Sequence, residues 1–331
     1  MSIAAFVFLS YSALSHISVP PQDVAYETQV FRVRSGASAS EIASDLRKAG
    51  LIRNEMIFRL AVARRDVQDK LQPGDYLLRA DMSLSKIVDE LQRGRVEELT
   101  VTVIEGWRAE EIANALSATG LISADEFMAA IKDESLWLKY DFLPEEGSTR
   151  GAEGFLFPDT YRIGMQTTAT EFVEKMLDRF GEIYTQPMRL AARSQELTNK
   201  EVVILASIVE REAQLDDERP RVAAVFLNRL KKGMKLEADP TVQYAVSGES
   251  NDVWWKTGLT MTDLGVDSPY NTYKFAGLPP APIANPGVRS IIAVVQPAVT
   301  EDLFFVARGD GSHAFSKTLE EHQRNVDRYV K

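Results

Sequence analysis

Glu210 and Glu212 stand two residues apart at the end of an apolar run, VVILASIV, that contains no Gly or Pro. Residues two apart are separated by roughly 200° around a helix, so the two acids face different surroundings. Glu212 continues the stripe Leu205, Ile208, Val209, whereas Glu210 continues the smaller, more polar stripe Val203, Ala206, Ser207. An apolar surround disfavours an ionised carboxylate and raises its pKa. Glu212 is therefore read as a carboxylic acid kept protonated near neutral pH, the state from which a general acid protonates a glycosidic oxygen. The competing reading is a pair of solvent-facing acids at a helix end, since Glu is a common helix residue.

The helix that must carry these acids is TNKEVVILASIVEREA, Thr198 to Ala213. Thr198 and Glu201 have the spacing of a capping box, and Leu197 and Val202 that of a hydrophobic staple. A helix this apolar on most sides is expected to be buried, where an acid is costly unless paired or protonated. A second helix should follow, capped by Asp216 or Asp217, with Pro220 in its first turn and Gly233 as its stop. Asp239, before Pro240, is read as a turn former, with a supporting role near the acids as the alternative. The segment SPYNTYKFAGLPPAPIANPG then brings five prolines in an irregular stretch. Loops of that length are functional or disordered, and its tyrosines and asparagines argue for an ordered cleft wall. Upstream, Phe155, Phe157 and Tyr161 have ring faces that suit a sugar but equally suit a core. At the end, LFFVAR and HAFS flank a Gly309–Ser312 hairpin loop. His313 is read either as a substrate contact or as an ordinary strand residue. His322 is expected on a solvated face of the last helix, Leu319 to Val330.

The remaining chain bounds what these residues can serve. It has 331 residues, 45% hydrophobic and 26% charged, as folded globular proteins do. A formal net charge of −10 argues against a nucleic-acid binder. With no cysteine, disulfides, thiolate zinc sites and cysteine nucleophiles are excluded, and the three histidines have no metal-ligand spacing. No metal or cofactor is expected. Residues 2–19 carry no formal charge and approach the ~20 residues that span a bilayer. A single membrane anchor over residues 1–20 is preferred to a signal peptide or a buried segment; its missing basic flank makes it look shortened at the start.

Residues 31–80 read as strand, helix, helix, strand, followed by an amphipathic helix over Ser83–Arg93. The sequence VRSGASASEIASDLRKAGLI, from Val33, then aligns without a gap on VIEGWRAEEIANALSATGLI, from Val103, at an offset of 70, with identities that include Gly36, Glu41, Ile42, Ala43, Leu46, Gly50, Leu51 and Ile52. This is read as an internal duplication, giving two related small α+β modules. The first resembles LysM, a peptidoglycan-binding module; a plain structural spacer is the alternative.

Over nearly its whole length the chain resembles the YceG-like family of endolytic murein transglycosylases. The resemblance rests on EGFLFPDTYRI, ASIVEREA, ERPRVAAVFLNRLKKGMKLEADPTVQYA, SPYNTYKFAGLPPAPIANPG and GDGSHAFSKTLEEHQRNV. It implies an α+β chain: anchor 1–20, a LysM-like βααβ module 29–97, and a catalytic domain 98–331 that includes the second small module, 100–163. It implies a single-pass inner-membrane protein with its catalytic domain in the periplasm, acting on peptidoglycan beside peptidoglycan synthases. The second Glu of the family's VE-x-E motif falls on Glu212 as catalytic acid; Ala213 stands where Ser or Thr commonly follows. Glu210, Tyr270, Asn271, Tyr273 and Phe157 are the expected substrate contacts. Two other activities fit the residues: a hydrolytic muramidase pairing Glu212 with Glu218 or Asp239, and a non-catalytic peptidoglycan-binding scaffold.

Overall fold

The computed structural model describes residues 29–94, 98–144, 150–247 and 253–330. The expected anchor, 1–20, lies outside the described residues. Among the described residues no helix is long and apolar enough to cross a membrane. The described residues divide into two units, one holding those up to Leu99 with Arg162–Gln166, the other those of Thr100–Tyr161 and from Thr167 onward.

In the first unit, β1 (Gln29–Val33) and β2 (Gly74–Leu78) flank the helices α1 (Ala39–Lys48) and α2 (Glu55–Arg64), and α3 (Leu84–Arg93) follows. β1 pairs antiparallel with β2, Gln29 opposite Leu78 and Val33 opposite Gly74. Alternation turns Phe31 and Val33 inward, onto Ile42, Leu46, Phe58, Val88 and Leu91. On the opposite face Arg32 Nε donates to Asp75 at 2.9 Å. Ser38, Asn54 and Ser83 cap the three helices, each side chain accepting a first-turn N–H.

The second unit begins with the other copy of the repeat. Helix α4 (Ala109–Ser117) starts 70 residues after α1, as the alignment requires. Gly36 and Gly106 have φ of 76° and 79°, and Gly50 and Gly120 of 71° and 73°, so both turns demand the left-handed backbone that glycine tolerates. Between β3 (Glu98–Thr102) and β4 (Thr160–Gly164) come α5 (Ala124–Ala130) and α6 (Ser135–Lys139), and after β4 come α7 (Ala169–Ile183) and α8 (Gln186–Ser194). Phe155 and Phe157 are 1% and 5% exposed, and Phe155 packs edge-on against Phe180 at 5.2 Å. Phe157 is thus a core residue rather than a substrate contact: its ring sits under Arg179, and its carbonyl accepts the Tyr161 hydroxyl at 2.5 Å.

Helix α9 (Asn199–Glu212) is the axis of this unit, with every residue from Val202 to Val209 buried. The predicted capping box forms: Thr198 Oγ1 accepts the Glu201 N–H, and Glu201 Oε2 accepts the Thr198 N–H at 2.8 Å. Around α9 pack α8, α10 (Arg219–Lys231), α11 (Asp239–Val246) and α13 (Val288–Val295). The one polar residue in the buried run, Ser207, is satisfied: it donates to Ile204 O at 2.7 Å and accepts the Ile283 N–H at 3.1 Å. Neither Asp216 nor Asp217 caps α10; they form a short 3-10 turn, and Glu218 holds the N-terminal position without a side-chain cap. After α12 (Met261–Leu264), the Pro-rich segment is irregular as expected up to α13. The chain closes with the antiparallel hairpin β5 (Phe304–Ala307) and β6 (His313–Ser316), then α14 (Leu319–Tyr329).

Gly154 shows how tightly α9 is enclosed. Its φ is 91°, and a Cβ there would lie 2.4 Å from Pro282 Cγ and 2.9 Å from Val203 Cγ1. Gly154→Ala is expected to destabilise the protein by about 2–4 kcal/mol through strain and overpacking; a melting temperature equal to the parent's would contradict this contact.

Candidate active site

Glu212 is the last residue of α9, and the chain leaves the helix at once, Ala213 being extended. The free carbonyls of a helix C-terminus repel an anion. The rise in the Glu212 pKa itself has two causes, burial first and then the nearby Asp239 carboxylate. Together they push the Glu212 carboxyl up to about 8, against a smaller lowering by the Asp239 backbone N–H. That N–H is a first-turn donor of α11, which has no intrahelical partner. Glu212 thus sits between the C-terminus of one helix and the N-terminus of another.

Asp239 is fixed from two sides. Tyr273 Oη donates to its Oδ1 at 2.6 Å. The Pro-rich loop is tied to the start of α11 through Thr272, whose Oγ1 accepts the Ala238 N–H at 3.0 Å and lies 2.8 Å from Thr241 Oγ1. Burial, and then the Asp239 bond, keep the Tyr273 phenol protonated well above its usual range. The far end of α11 is held by Arg108, whose guanidinium donates to the carbonyls of Gln243 and Ser247, both at 3.3 Å. Arg108 is itself clamped between the rings of Tyr244 and Trp255, at 4.5 and 4.2 Å.

Glu212, Asp239 and Tyr273 open onto a cavity of about 520 Å³ whose opposite wall is formed by β5, β6 and α14. Arg229 and Glu237 stand in its lining, paired at 3.0 Å. Glu237 has φ of 51°, a strained backbone for a residue with a side chain. His313 also lines it, its Nδ1 2.7 Å from Glu218 Oε2 while its backbone N–H bonds the same carboxylate at 3.1 Å. The volume falls in the ~300–1,000 Å³ range of small-molecule sites.

Glu210, as its stripe implied, faces elsewhere. Its Oε2 accepts the Gly287 N–H at 3.0 Å and Ser290 Oγ at 2.9 Å, and its Oε1 pairs with Arg219 at 3.1 Å. It is an anion at the N-terminus of α13, where the helix dipole favours one, and it fastens α13 to α9 rather than meeting a ligand. Asn271 is likewise a loop clamp with no exposed surface: it donates to the Leu264 and Val266 carbonyls at 2.9 Å and accepts the Tyr273 N–H at 3.0 Å. Tyr270 is half-buried with its ring 4.7 Å from that of Tyr244 and does not line the cavity. Of the five expected contacts beside the acid, Tyr273 alone lines the cavity.

His322 is not on a solvated face: it lines the cavity with Val326. The sequence carried the signal, since Leu319, His322 and Val326 share one helical stripe. Asp239 carried a weaker one, because a residue before proline at a helix start reads first as a turn.

The YceG-like family model matches residues 31–328. An endolytic murein transglycosylase of Bacillus subtilis (strain 168) is 34% identical over 308 residues, covering 90% of this chain and 84% of that protein. The protein of the same description from Streptococcus pneumoniae serotype 2 is 30% identical over 320 residues, and this chain spans 58% of its length. In structure, a crystallised YceG-like protein from Listeria monocytogenes superposes with a TM-score of 0.61 at 31% identity, covering 91% of this chain and 99% of that one.

Proposed function

Because this chain belongs to the YceG-like family, we propose that it is an endolytic peptidoglycan lytic transglycosylase. It cuts the bond between N-acetylmuramic acid and N-acetylglucosamine inside glycan strands, leaves 1,6-anhydromuramic ends and so limits the growth of nascent strands. The observation that carries the site assignment is the placement of Glu212 on the wall of a cavity of about 520 Å³ with Asp239 beside it, where burial raises its carboxyl to about 8.

Glu212 donates its proton to the bridging oxygen as the muramic C1–O bond breaks. The 2-acetamido group of the muramic residue stabilises the charge that develops at C1. The carboxylate left behind takes the proton of the muramic 6-hydroxyl as O6 closes on C1. Glu212 ends as it began, no water is consumed, and no metal or cofactor is needed. Asp239, held by Tyr273, keeps the first proton on Glu212 until the bridging oxygen takes it. The βααβ module of the first unit serves as a LysM-like glycan anchor. An N-terminal inner-membrane anchor keeps the enzyme in the periplasm beside the synthases that make its substrate.

One observation favours a second reading. Glycosidases that use water or a covalent intermediate need two carboxylates, and Asp239 lines the same cavity beside Glu212. The other acid offered by the sequence, Glu218, is engaged by His313. Digestion of purified peptidoglycan by the full chain, read by mass spectrometry, separates the two. Anhydromuramic ends are expected; reducing ends would replace the transglycosylase with a muramidase, and intact strands would leave a binding scaffold.

A further inference from the structure

The cavity holds a histidine that the mechanism above does not use. His322 lies on α14, and its ring stacks on Phe304 with centroids 5.2 Å apart and planes 21° from parallel. That contact fixes the ring plane. Its Nδ1 is buried and meets no hydrogen-bonding partner. Neutral imidazole carries one proton, on one nitrogen or the other, and a buried N–H without an acceptor is the rarer and costlier of the two orphans. The proton therefore resides on Nε2. Burial and the neighbouring Arg229 charge both act against a second proton, pulling the ring's pKa below its usual value, while Glu237 opposes them weakly. The result is a neutral, oriented N–H donor on the cavity wall formed by α14, in the same lining as Glu212. His313, by contrast, has its Nδ1 committed to Glu218.

We propose that His322 is a substrate-binding residue, its Nε2–H donating to a neutral carbonyl oxygen of the glycan, the 2-acetamido group of an N-acetylated sugar. A neutral donor suits an amide oxygen, the best uncharged acceptor on such a sugar, and Phe304 beneath the ring holds the donor in place without competing for its proton. This inference rests on the reading of the cavity as a glycan site.

The test uses the full chain with soluble uncrosslinked glycan strands. His322→Ala is expected to raise KM about tenfold, the worth of one neutral hydrogen bond left unmade, with a much smaller change in kcat. His322→Gln, whose amide N–H can reach the same region, should recover most of that loss. The chain has three histidines, so ring nitrogen resonances of ¹⁵N-histidine-labelled protein are assigned by their loss in His322→Gln, and they should report the Nε2–H tautomer. Overturning outcomes are an Nδ1–H tautomer, an unchanged KM in His322→Ala, or Ala and Gln variants equally impaired with equally lowered melting temperatures, which would make the role purely structural. If the unmutated protein leaves glycan uncut, the functional reading falls and this inference with it; if it cuts and His322→Ala cuts with the same KM, this inference falls alone.

Discussion

Glu212→Gln is expected to lower the rate of glycan cleavage by about 10³-fold or more while leaving the fold intact. General acids contribute roughly 10²–10⁴-fold, and here the same group must also return as the base, so both proton transfers are lost. Glutamine keeps the volume and one acceptor oxygen but has no proton to give. In the unmutated protein activity should fall as pH rises through about 8, where the acid ionises. Stability must follow the same titration. The folded protein holds the Glu212 proton up to about pH 8, while the unfolded chain releases it near the ordinary carboxylate value of about 4.3. Between those limits the unfolded state binds fewer protons, so this group's contribution to stability declines as pH rises. Glu212→Gln removes that term. Between pH 5 and pH 9 the variant should gain on the parent by about 2 kcal/mol, a figure reduced from the full linkage value because the carboxyl keeps some contact with water. Urea melts at the two pH values check this. Parallel stabilities at both would mean that the carboxyl is already ionised in the fold, and the acid would have to be sought elsewhere.

Glu153→Ala should be the most damaging substitution outside the cavity, costing about 3–5 kcal/mol. Glu153 is 1% exposed. Its Oε1 accepts the Ala109 N–H at 2.9 Å, and its Oε2 accepts Tyr244 Oη at 2.7 Å and Arg150 Nε at 2.8 Å. Removal would strand a helix N-terminal N–H, a buried phenol and one face of a guanidinium, each losing its partner with little water to replace it. Burial, and then the Glu153 charge, already hold the Tyr244 phenol far above its usual range. The damage should reach the cavity, because Tyr244 lies on α11, the helix that carries Asp239. Glu153→Gln, which keeps the acceptor oxygen, should cost less than half as much. Thermal unfolding decides the matter: a loss under about 1 kcal/mol for Glu153→Ala would show that the network is replaceable by water.

The site was legible where one element decided it. The helix over Thr198–Glu212, its cap, and the separation of Glu210 from Glu212 follow from periodicity within fifteen residues. The duplication was legible because a turn glycine leaves the same mark in both copies. What the sequence hid was the partner of each polar side chain. Tyrosines, asparagines and phenylalanines serve clefts and cores alike. Only assembled contacts distinguish Asn271, spent on two carbonyls of its own loop, from Tyr273 two residues later, which reaches Asp239. Asp239 and Glu212 are 27 positions apart, and their meeting depends on how α10 and the Pro-rich loop pack. The cavity's opposite wall is more distant still, drawn from the last thirty residues; the stripe of His322 and Val326 marked a buried face there but not what it would face.

The two copies of the repeat have had different fates. In the first, Ser38 caps its own helix, its side chain accepting the Glu41 N–H. In the second, the position 70 residues on is Arg108, whose side chain leaves its own helix start to close the end of α11, while the N–H of the next residue is taken by Glu153. One copy closes its helix start with its own side chain. Its sibling has been grafted. It now depends on distant residues and they on it, so deleting or transplanting it would remove a strut from α11 along with the module.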